Sequence, residues 1–421
     1  MMKGSLIKQH RKFKNMTLEE LASGICSVSY LSKIEHDTIN ASEEIYRLLG
    51  ERLKIKLIDI NEEFDEAIYN NLHAWHEASQ MRDFTLMDEL HEECTNQLND
   101  NQNIELTNLY KIVHTRHQMT KIGKTLSDDV MKELSNIYDG ANPEYRFFFH
   151  KTIGVHYLLS AELKKSLKHF MEAEQLMNKL PIHEGEVYFH LALAYSKIRS
   201  FVESTYYAYQ ALEIYEDHLY YQRMVDNYII IAINYNSLGV HQIAERFLLK
   251  VLKVAKYQLP VTEKRRIYHN LGINYINQER YSDAYHYLQQ AYEIDTKETM
   301  FRSSTIYLLA LTSYYSDDLS QCWKYIADGE AESEKENLLK YKHKFYILRN
   351  MVSETTLEDS FMEKLENTII PDFRRLNEYK DYKEFVEMLG NLYYEKRMYK
   401  KAAMYYKEAN HYRETQKKDL L

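Results

Sequence analysis

Residues 272–291 read GINYINQERYSDAYHYLQQA and contain the pattern that decides the fold of most of this chain. The small residue Gly272 is followed three positions later by Tyr275, and a second small residue, Ala284, is followed by the bulky Leu288. Residues three or four positions apart share one face of a helix. The stretch therefore predicts two amphipathic helices that approach each other closely at their small residues.

The same pattern returns along the chain at a nearly constant spacing. Close copies begin at Gly154 and Gly390, and looser copies begin at Ala192, Ala232 and Ala310. From residue 154 to residue 310 the copies are 38 to 40 residues apart. A helix pair repeated at a fixed period is typical of tetratricopeptide (TPR) arrays, here with loops longer than the usual ones.

Less regular helix pairs are predicted at residues 65–98, 105–138 and near 340–370, which makes about nine pairs in all. The sequence thus predicts an all-α protein with a right-handed superhelix of TPR-like pairs. The curvature of such an array creates a concave channel that suits an extended peptide. Because proline breaks a helix interior, all four prolines are predicted to fall between helix pairs: Pro143, Pro181, Pro260 and Pro371.

Composition excludes several classes of protein. Hydrophobic residues make up 45% of the chain and charged residues 28%, as in a globular protein. No apolar run is long enough to cross a membrane and no signal peptide is visible, so we expect a cytoplasmic protein without a membrane partner. The three cysteines, Cys26, Cys94 and Cys322, are far apart and are interpreted as reduced structural residues.

Motifs for catalysis and cofactor binding are missing. The sequence contains no phosphate-binding loop, no dinucleotide fingerprint and no H-E-x-x-H motif. Two histidine pairs, His73/His76 and His114/His117, are spaced for one helix face, but such pairs are more often surface or core residues than metal ligands. We therefore predict neither an enzyme nor a cofactor nor a metal site.

The first 60 residues follow different rules from the array. Thr17 and Glu20 form a capping box that starts one helix, Gly24 ends it, and Ser27 is placed to cap a third helix that runs to Glu35. A fourth helix is predicted over residues 42–53. Five short helices in this length make a domain of their own, with boundaries predicted at 1–60 for the head and 61–421 for the array.

Residues 17–35 (TLEELASGICSVSYLSKIE) resemble the phage-repressor (Cro/cI, XRE) class of helix-turn-helix. In that class the third helix enters the major groove of DNA. The resemblance implies base readout by Val28, Ser29, Ser32 and Lys33, and phosphate contacts from Ser27, Lys14, Thr17, Thr38 and Asn40.

The same resemblance implies one structural contact and shows two departures. It implies an ion pair between Arg11 and Glu35, which gives Glu35 no role on DNA. The chain has Leu18 where the class often has glutamine, and His36-Asp37 replaces a common Asn-Gly turn. A head kept only for dimerisation or protein docking is the alternative interpretation.

Charge is divided unevenly between the two predicted domains. The chain carries a net charge of −9, but residues 1–60 hold ten Lys/Arg against eight Asp/Glu. A basic head on an acidic body suits a protein that approaches phosphate with one end.

The head and the array together resemble the peptide-pheromone regulators of Gram-positive bacteria, the Rap/NprR/PlcR/PrgX group, and most of all its neutral-protease regulators of NprR type. The resemblance implies a double-stranded DNA operator, a short re-imported signalling peptide and a homodimer or higher oligomer as partners. It also implies a second candidate function, in which the array binds a response regulator of a phosphorelay and blocks or removes its phosphate.

An extended peptide needs partners for its backbone amides, and asparagine offers both a donor and an acceptor. Asparagines recur near the packing tyrosines, which predicts a ladder along one open inner face; Arg116 and Arg266 are candidates for a peptide carboxylate. The ladder consists of Asn234, Asn270, Asn274, Asn277 and Asn391.

Overall fold

The computed structural model describes residues 3–14, 16–36, 38–53, 64–101, 103–254, 261–294 and 299–418. Throughout these residues the regular secondary structure is helical, with no strand. No described helix is both long and apolar enough to cross a bilayer. The chain divides into two compact units, residues 1–238 (unit 1) and residues 239–421 (unit 2).

Four short helices form the described part of the head. They pack around a small core that includes Ile7, Leu21, Leu31, Ile34 and Leu49, all with no exposed surface. The predicted fifth helix and the predicted boundary at residue 60 fall on residues 54–63, which lie outside the described ranges. The four helices are Lys3–Phe13 (α1), Leu18–Ala22 (α2), Val28–Glu35 (α3) and Glu43–Leu53 (α4).

Within each unit, the remaining described helices follow one another along the chain as TPR-like pairs. The all-α class and the TPR-like pairs predicted from the sequence are confirmed, including the irregular pairs near 65–98, 105–138 and 340–370. Those of unit 1 are Glu66–Met81 (α5), Phe84–Asp100 (α6), Ile104–Ile122 (α7), Asp128–Tyr138 (α8), Pro143–Leu159 (α9), Leu163–Met177 (α10), Gly185–Lys197 (α11), Phe201–Asp217 (α12) and Tyr221–Ser237 (α13).

Unit 2 contains the helices after Leu238. They are His241–Val254 (α14), Val261–Asn277 (α15), Tyr281–Glu293 (α16), Thr299–Tyr315 (α17), Leu319–Lys335 (α18), Leu339–Val352 (α19), Asp359–Lys364 (α20), Ile370–Arg375 (α21), Tyr379–Glu395 (α22) and Tyr399–Lys418 (α23). A π-helical turn, Leu365–Ile369, joins α20 to α21.

The repeat consensus acts through glycine in the first helix of a pair and a bulky residue in the second. A Cβ atom on Gly154 would lie 2.6 Å from the ring of Phe170, and one on Gly272 would lie 2.4 Å from Leu288. No real Cβ atom approaches a neighbour this closely, so the bulky side chain fills the space that glycine leaves. This contact sets the distance between the two helices of a pair.

One proline is placed differently from the prediction. Pro143 is at the first turn of α9, as expected, and Pro260 lies outside the described residues. Pro371, however, is inside the continuous helical segment 359–375, directly after the π-helical turn. Since a π-turn already shifts the backbone hydrogen-bond register, the missing N–H of proline is tolerated there.

Candidate DNA-recognition face and the interior of the array

The turn between α2 and α3 is built by the caps that the sequence indicates. Thr17 Oγ1 accepts from the Glu20 amide at 3.1 Å, and the Glu20 carboxylate accepts from the Thr17 amide at 2.6 Å. These hydrogen bonds from Thr17 lower the pKa of Glu20. Gly24 has a φ of +70°, a left-handed conformation that glycine adopts without strain. Ser27 Oγ accepts from the Tyr30 amide at 3.2 Å and begins α3.

Helix α3 buries one face and exposes the other. Leu31 and Ile34 lie in the head core with no exposed surface, whereas Val28 is 42% exposed. Ser29 and Lys33 are also exposed, and Ser32 is half-buried. The four side chains predicted to read bases therefore lie on or beside one accessible edge of α3.

The predicted phosphate-contacting residues are all exposed, and some already have structural roles. Thr17 and Ser27 cap helices, and the Thr38 hydroxyl donates to the Lys33 carbonyl at 2.8 Å. Lys14 and Asn40 are exposed as well. Contacts from all five to phosphate remain predictions.

The ion pair implied for Arg11 and Glu35 is present and buried. Arg11 Nε and Nη2 donate to the two carboxylate oxygens of Glu35 at 2.6 and 2.8 Å. Arg11 Nη1 also donates to the Met16 carbonyl at 3.0 Å. This bidentate pair joins α1 to the end of α3, which is a structural role.

Two members of the asparagine ladder are not on an open face. Asn234 has no exposed surface; its Nδ2 donates to Ser204 Oγ at 2.7 Å and its Oδ1 accepts from Ser196 Oγ at 3.0 Å. Asn274 is equally buried and donates to the His241 carbonyl at 3.0 Å. The prediction that these two side chains face a channel is wrong.

The physical reason lies in how successive pairs stack. The helix position directly before the packing tyrosine faces the preceding pair, so Asn234 reaches from α13 to α11 and α12. Asn274 reaches from α15 to the first residue of α14. Each amide thus joins one repeat to the repeat before it, within its own unit.

The other peptide-binding candidates of unit 2 are more accessible. Asn270 is half-buried and donates to the Arg266 carbonyl at 2.8 Å, while Arg266 forms an ion pair with Glu263 at 2.7 Å. Asn277 and Asn391 are exposed. Contacts from these four residues to a ligand remain predictions.

Arg116, the candidate of unit 1, belongs to a buried ionic network. Only 7% of Arg116 is exposed, and its Nη2 atom lies 2.8 Å from Glu186 Oε1. Arg223 contacts the same oxygen at 3.3 Å. Lys151 donates to Glu186 Oε2 at 2.9 Å and also contacts Glu184. With His76, which also contacts Lys151, the network connects five helices of unit 1: α5, α7, α9, α11 and α13.

The Lys151 ammonium is the centre of this network. It lies 2.8 Å from His76 Nε2 and contacts the carboxylates of both Glu184 and Glu186. His76, Glu184 and Glu186 are also the one grouping of potential metal ligands among the described residues. A metal ion held by these atoms would have to displace the ammonium, so the arrangement is a cation site filled by the chain's own lysine.

The network shifts the titration of its members. Burial alone would raise the pKa of Glu184, but the charge of Lys151 and the contacts from His76 outweigh it and lower the pKa to about 2. For Glu186, burial is likewise outweighed by Lys151 and Arg116, and its pKa falls well below the usual value. Burial lowers the pKa of His190 to about 3, so this imidazole is neutral. Both carboxylates are therefore ionised at neutral pH.

Sequence reasoning found Arg116 but missed its partners. A signal existed, because Lys151 interrupts the apolar run 147–153, FFFHKTI, and a charge in a buried helix needs an opposite charge nearby. Which carboxylates meet it could not be found from spacing, since Glu184 and Glu186 are more than thirty positions away.

The predicted histidine pairs lie in two different environments. His76 is part of the ionic network, and the neighbouring His73 contacts Glu144 at 2.9 Å. His117 accepts from Trp75 Nε1 at 2.9 Å, beside His114 in an aromatic cluster. Burial lowers the pKa of both His114 and His117. These two imidazoles are packing elements of the first two helix pairs.

An exposed α3 edge on a four-helix head, followed by TPR-like pairs, defines a helix-turn-helix protein with a helical-repeat array. Residues 7–60 match a family model described as helix-turn-helix. The chain is 26% identical to the transcriptional activator NprA of Geobacillus stearothermophilus over 387 residues, which cover 90% of this chain and 94% of NprA. It is 20% identical to the regulatory protein RapD of Bacillus subtilis, over 82% of this chain and 98% of RapD.

Solved structures of the quorum sensor NprR share the fold. The apo form from B. thuringiensis superimposes with a TM-score of 0.70 at 20% identity, covering 82% of this chain and 99% of that one. A complex of NprR with its cognate peptide NprX gives a TM-score of 0.61 at 19% identity, covering 83% and 98%. The resemblance to the Rap/NprR group of quorum-sensing regulators, predicted from the sequence, is thereby confirmed. The three relatives carry the names of regulators, not of enzymes.

Proposed function

We propose that this chain is a cytoplasmic transcription regulator whose binding to an operator is controlled by a short signalling peptide held in its array. The observation that carries the DNA-binding part is the accessible edge of α3 with Ser29 and Lys33 exposed beside Val28. Helix-turn-helix domains read DNA with this edge of the third helix. The likeness to the activator NprA supports a role in transcription.

A mobility-shift assay with DNA from upstream of the gene tests this part. Replacing Ser29 and Lys33 together by alanine should weaken operator binding by a few kcal/mol, at about 1–3 kcal/mol for each good base contact. Lys14→Ala should instead weaken binding to all sequences alike and flatten its salt dependence. Lys164→Ala, which removes an exposed lysine of the array, is the matched control. Normal operator binding by the double variant would remove α3 from the interface.

Peptide control is supported by the NprR fold, since NprR is solved with its cognate peptide. We propose that the accessible candidates of unit 2, Asn270, Asn277, Asn391 and Arg266, contribute to the peptide site. Arg116 of unit 1 is buried and paired with Glu186, so it is not part of this proposal. Calorimetric titration with short peptides encoded beside the gene tests the proposal. Asn277→Ala should lower affinity by about 1–3 kcal/mol, the value of one or two hydrogen bonds. Unchanged affinity would remove Asn277 from the site.

Oligomerisation is the third part of the proposed function. One head reads only a few base pairs, so such heads work in pairs on two half-sites about one helical turn apart. We therefore propose at least a homodimer, assembled through the array. Light scattering should show more than one chain per particle, and a monomer both with and without peptide would contradict the proposal.

Modulation of a response regulator is the second candidate function. The resemblance to the Rap group favours it, and the likeness to RapD extends over 82% of this chain, so it includes the array. The Ser29/Lys33 double variant separates the two functions, because it should lose operator binding and keep any contact made by the array. Retained binding of a response regulator by this variant supports a second function, and absence of binding by the wild type contradicts it.

A further inference from the structure

Helix α1 has two sides, and only one of them belongs to the head core. Ile7 is buried among the other helices of the head. On another side of α1, Lys12 Nζ lies 2.5 Å from the carboxylate of Asp139, which is 127 positions away in unit 1. Asp139 is the C-cap residue of α8. The head is thus in contact with the second helix pair of the array.

Charge favours this contact beyond the single ion pair. The C-terminal end of a helix carries partial negative charge, so the end of α8 attracts cations even before Asp139 is counted. Lys8 precedes Lys12 by one helical turn on the same side of α1. The hydrogen bond from Lys12, its charge and the charge of Lys8 all lower the pKa of Asp139. Two lysines of α1 therefore act on one helix end.

His10 gives an independent sign that α1 is covered. Burial is the largest cause that lowers the pKa of His10 to about 4, followed by the charge of Lys111 in α7. Lys111 itself forms an ion pair with Glu133 of α8 at 2.8 Å. Of the charges that act on His10, Lys111 and Glu133 lie on the two helices of the second pair, and Lys14 belongs to the head itself. The head therefore contacts a surface of the array, which is wider than the single ion pair between Lys12 and Asp139.

The docked position leaves the recognition face open. Val28, Ser29 and Lys33 of α3 remain exposed while Lys12 is bound to Asp139. Because Arg11 holds α3 to α1 through Glu35, the direction of α3 relative to the array is fixed once α1 is docked.

We infer that the end of α8 around Asp139 is a docking surface for the chain's own head, and that the docked head is the form that binds operator DNA. The second part rests on the proposed function; the docking itself does not. In this arrangement the array orients each α3 helix through its contact with α1, in addition to the covalent connection between the head and the array. Two heads held in this way meet two half-sites without first ordering freely moving domains, which favours binding.

Zero-length cross-linking of the unmodified chain tests the docking. A carbodiimide joins an ammonium to a carboxylate only when they are in contact, so Lys12, and to a smaller extent Lys8, should become linked to Asp139. The linked peptides are identified by mass spectrometry in the band with the mass of one chain. Asp129, exposed in the first turn of α8, is the matched carboxylate that should stay unlinked. Absence of the Asp139 link, with other links formed, would overturn the docking.

A double-mutant cycle tests the link to DNA. Lys12→Gln and Asp139→Asn should each lower affinity for a two-half-site operator by roughly 1.5- to 5-fold, the range of one partly exposed ion pair. The double variant should be no weaker than either single variant, because each change removes the same contact. Lys164→Gln controls for the loss of a charge. Additive losses, or no loss while the cross-link forms in the wild type, would overturn the claim that the docked head is the binding form. An operator that the wild type itself does not bind would instead contradict the proposed function and leave the cross-link result standing.

Discussion

Units 1 and 2 use the same kind of helix pair but place different chemistry between the pairs. In unit 1 a lysine and two carboxylates are buried together, and Lys151 has no exposed surface. In unit 2 the fully buried polar side chains include the hydroxyl residues Ser303, Thr312 and Ser333, and the ion pair of Lys344 with Asp381 is partly exposed. The repeat pattern therefore determines the spacing between helices but does not determine which polar residues are buried between them.

The difference has an energetic consequence. Hydroxyl groups can bond to the helix backbone around them. Thr312 donates to the Leu308 carbonyl at 2.7 Å and Ser333 donates to the Glu330 carbonyl at 3.1 Å, so these two are satisfied within their own helices. The buried charges of Lys151, Glu184 and Glu186 are instead paired with groups on other helices. Removing one of them leaves the rest buried without a partner, which costs far more than the pair contributes. We therefore expect unit 1 to be more sensitive to single polar substitutions and to acid.

The largest effect is expected for Lys151→Met. It keeps the apolar stem but leaves Glu184 and Glu186 without the ammonium that holds them ionised, and breaking a buried pair costs about 3–5 kcal/mol. Lys344→Met in unit 2 is the matched control, because its partner Asp381 keeps Lys340. Chemical denaturation should show a much larger loss for the first variant. Equal losses would mean that the two interiors do not differ in this respect.

The second largest effect is expected from acid, which should lower the stability of unit 1. The folded pKa of Glu184, about 2, lies below its ordinary 4.5, so the unfolded chain binds the proton first and stability is lost as pH falls from about 5 towards 2. His190, with a folded pKa of about 3 against 6.5, begins a loss in the same direction below about pH 6.5. His269 of unit 2, lowered to about 4 by burial, contributes in the same sense but without a carboxylate network.

Hydrogen exchange followed by mass spectrometry between pH 7 and pH 4 measures this difference. Segment 145–158 of unit 1 should lose protection more steeply than segment 303–314 of unit 2. An equal pH dependence in the two segments would contradict the assignment of acid sensitivity to the buried network.

Two glycines of unit 2 that approach bulky side chains offer a test of intermediate size. A Cβ atom on Gly329 would lie 2.0 Å from the ring of Phe345, which is fully buried, so Gly329→Ala should destabilise by about 1–3 kcal/mol. Gly390 faces Tyr406 at 2.9 Å, and this ring lies at a half-buried edge and can move aside. Thermal unfolding should therefore rank Gly390→Ala well below Gly329→Ala. The reverse order would show that the helix spacing is not set by these contacts.

The smallest effect concerns the asparagines. Asn274→Ala leaves the His241 carbonyl without its amide partner inside unit 2, which should cost about 1–2 kcal/mol. Asn391→Ala changes an exposed residue and should stay within about 0.5 kcal/mol of the wild type. The comparison is made by urea unfolding without peptide. A neutral Asn274→Ala would restore the interpretation of this residue as a free ligand contact.

Sequence alone predicted the features that depend on neighbours along the chain. The caps at Thr17 and Ser27 were predicted because each bonds to an amide three positions away, and the helix pairs were predicted because small and bulky residues recur at a fixed period. The pair of Arg11 with Glu35 was found through family resemblance, since spacing gives no reason to join residues 24 positions apart. Pro371 was misplaced because the π-helical turn before it leaves no signal in the periodicity.

Tertiary structure decided which polar side chains face solvent and which face another helix pair. Asn234 and Asn277 are both asparagines on amphipathic helices, yet one has no exposed surface and the other is exposed. Lys151 and its partner Glu184 are 33 positions apart in the sequence. Lys12 and Asp139 are 127 positions apart. A local pattern determines whether a helix forms and which side is apolar, because those energies depend on residues within one or two turns. The partner of a charge is set by how the completed helices stack, and that information is spread over the whole chain.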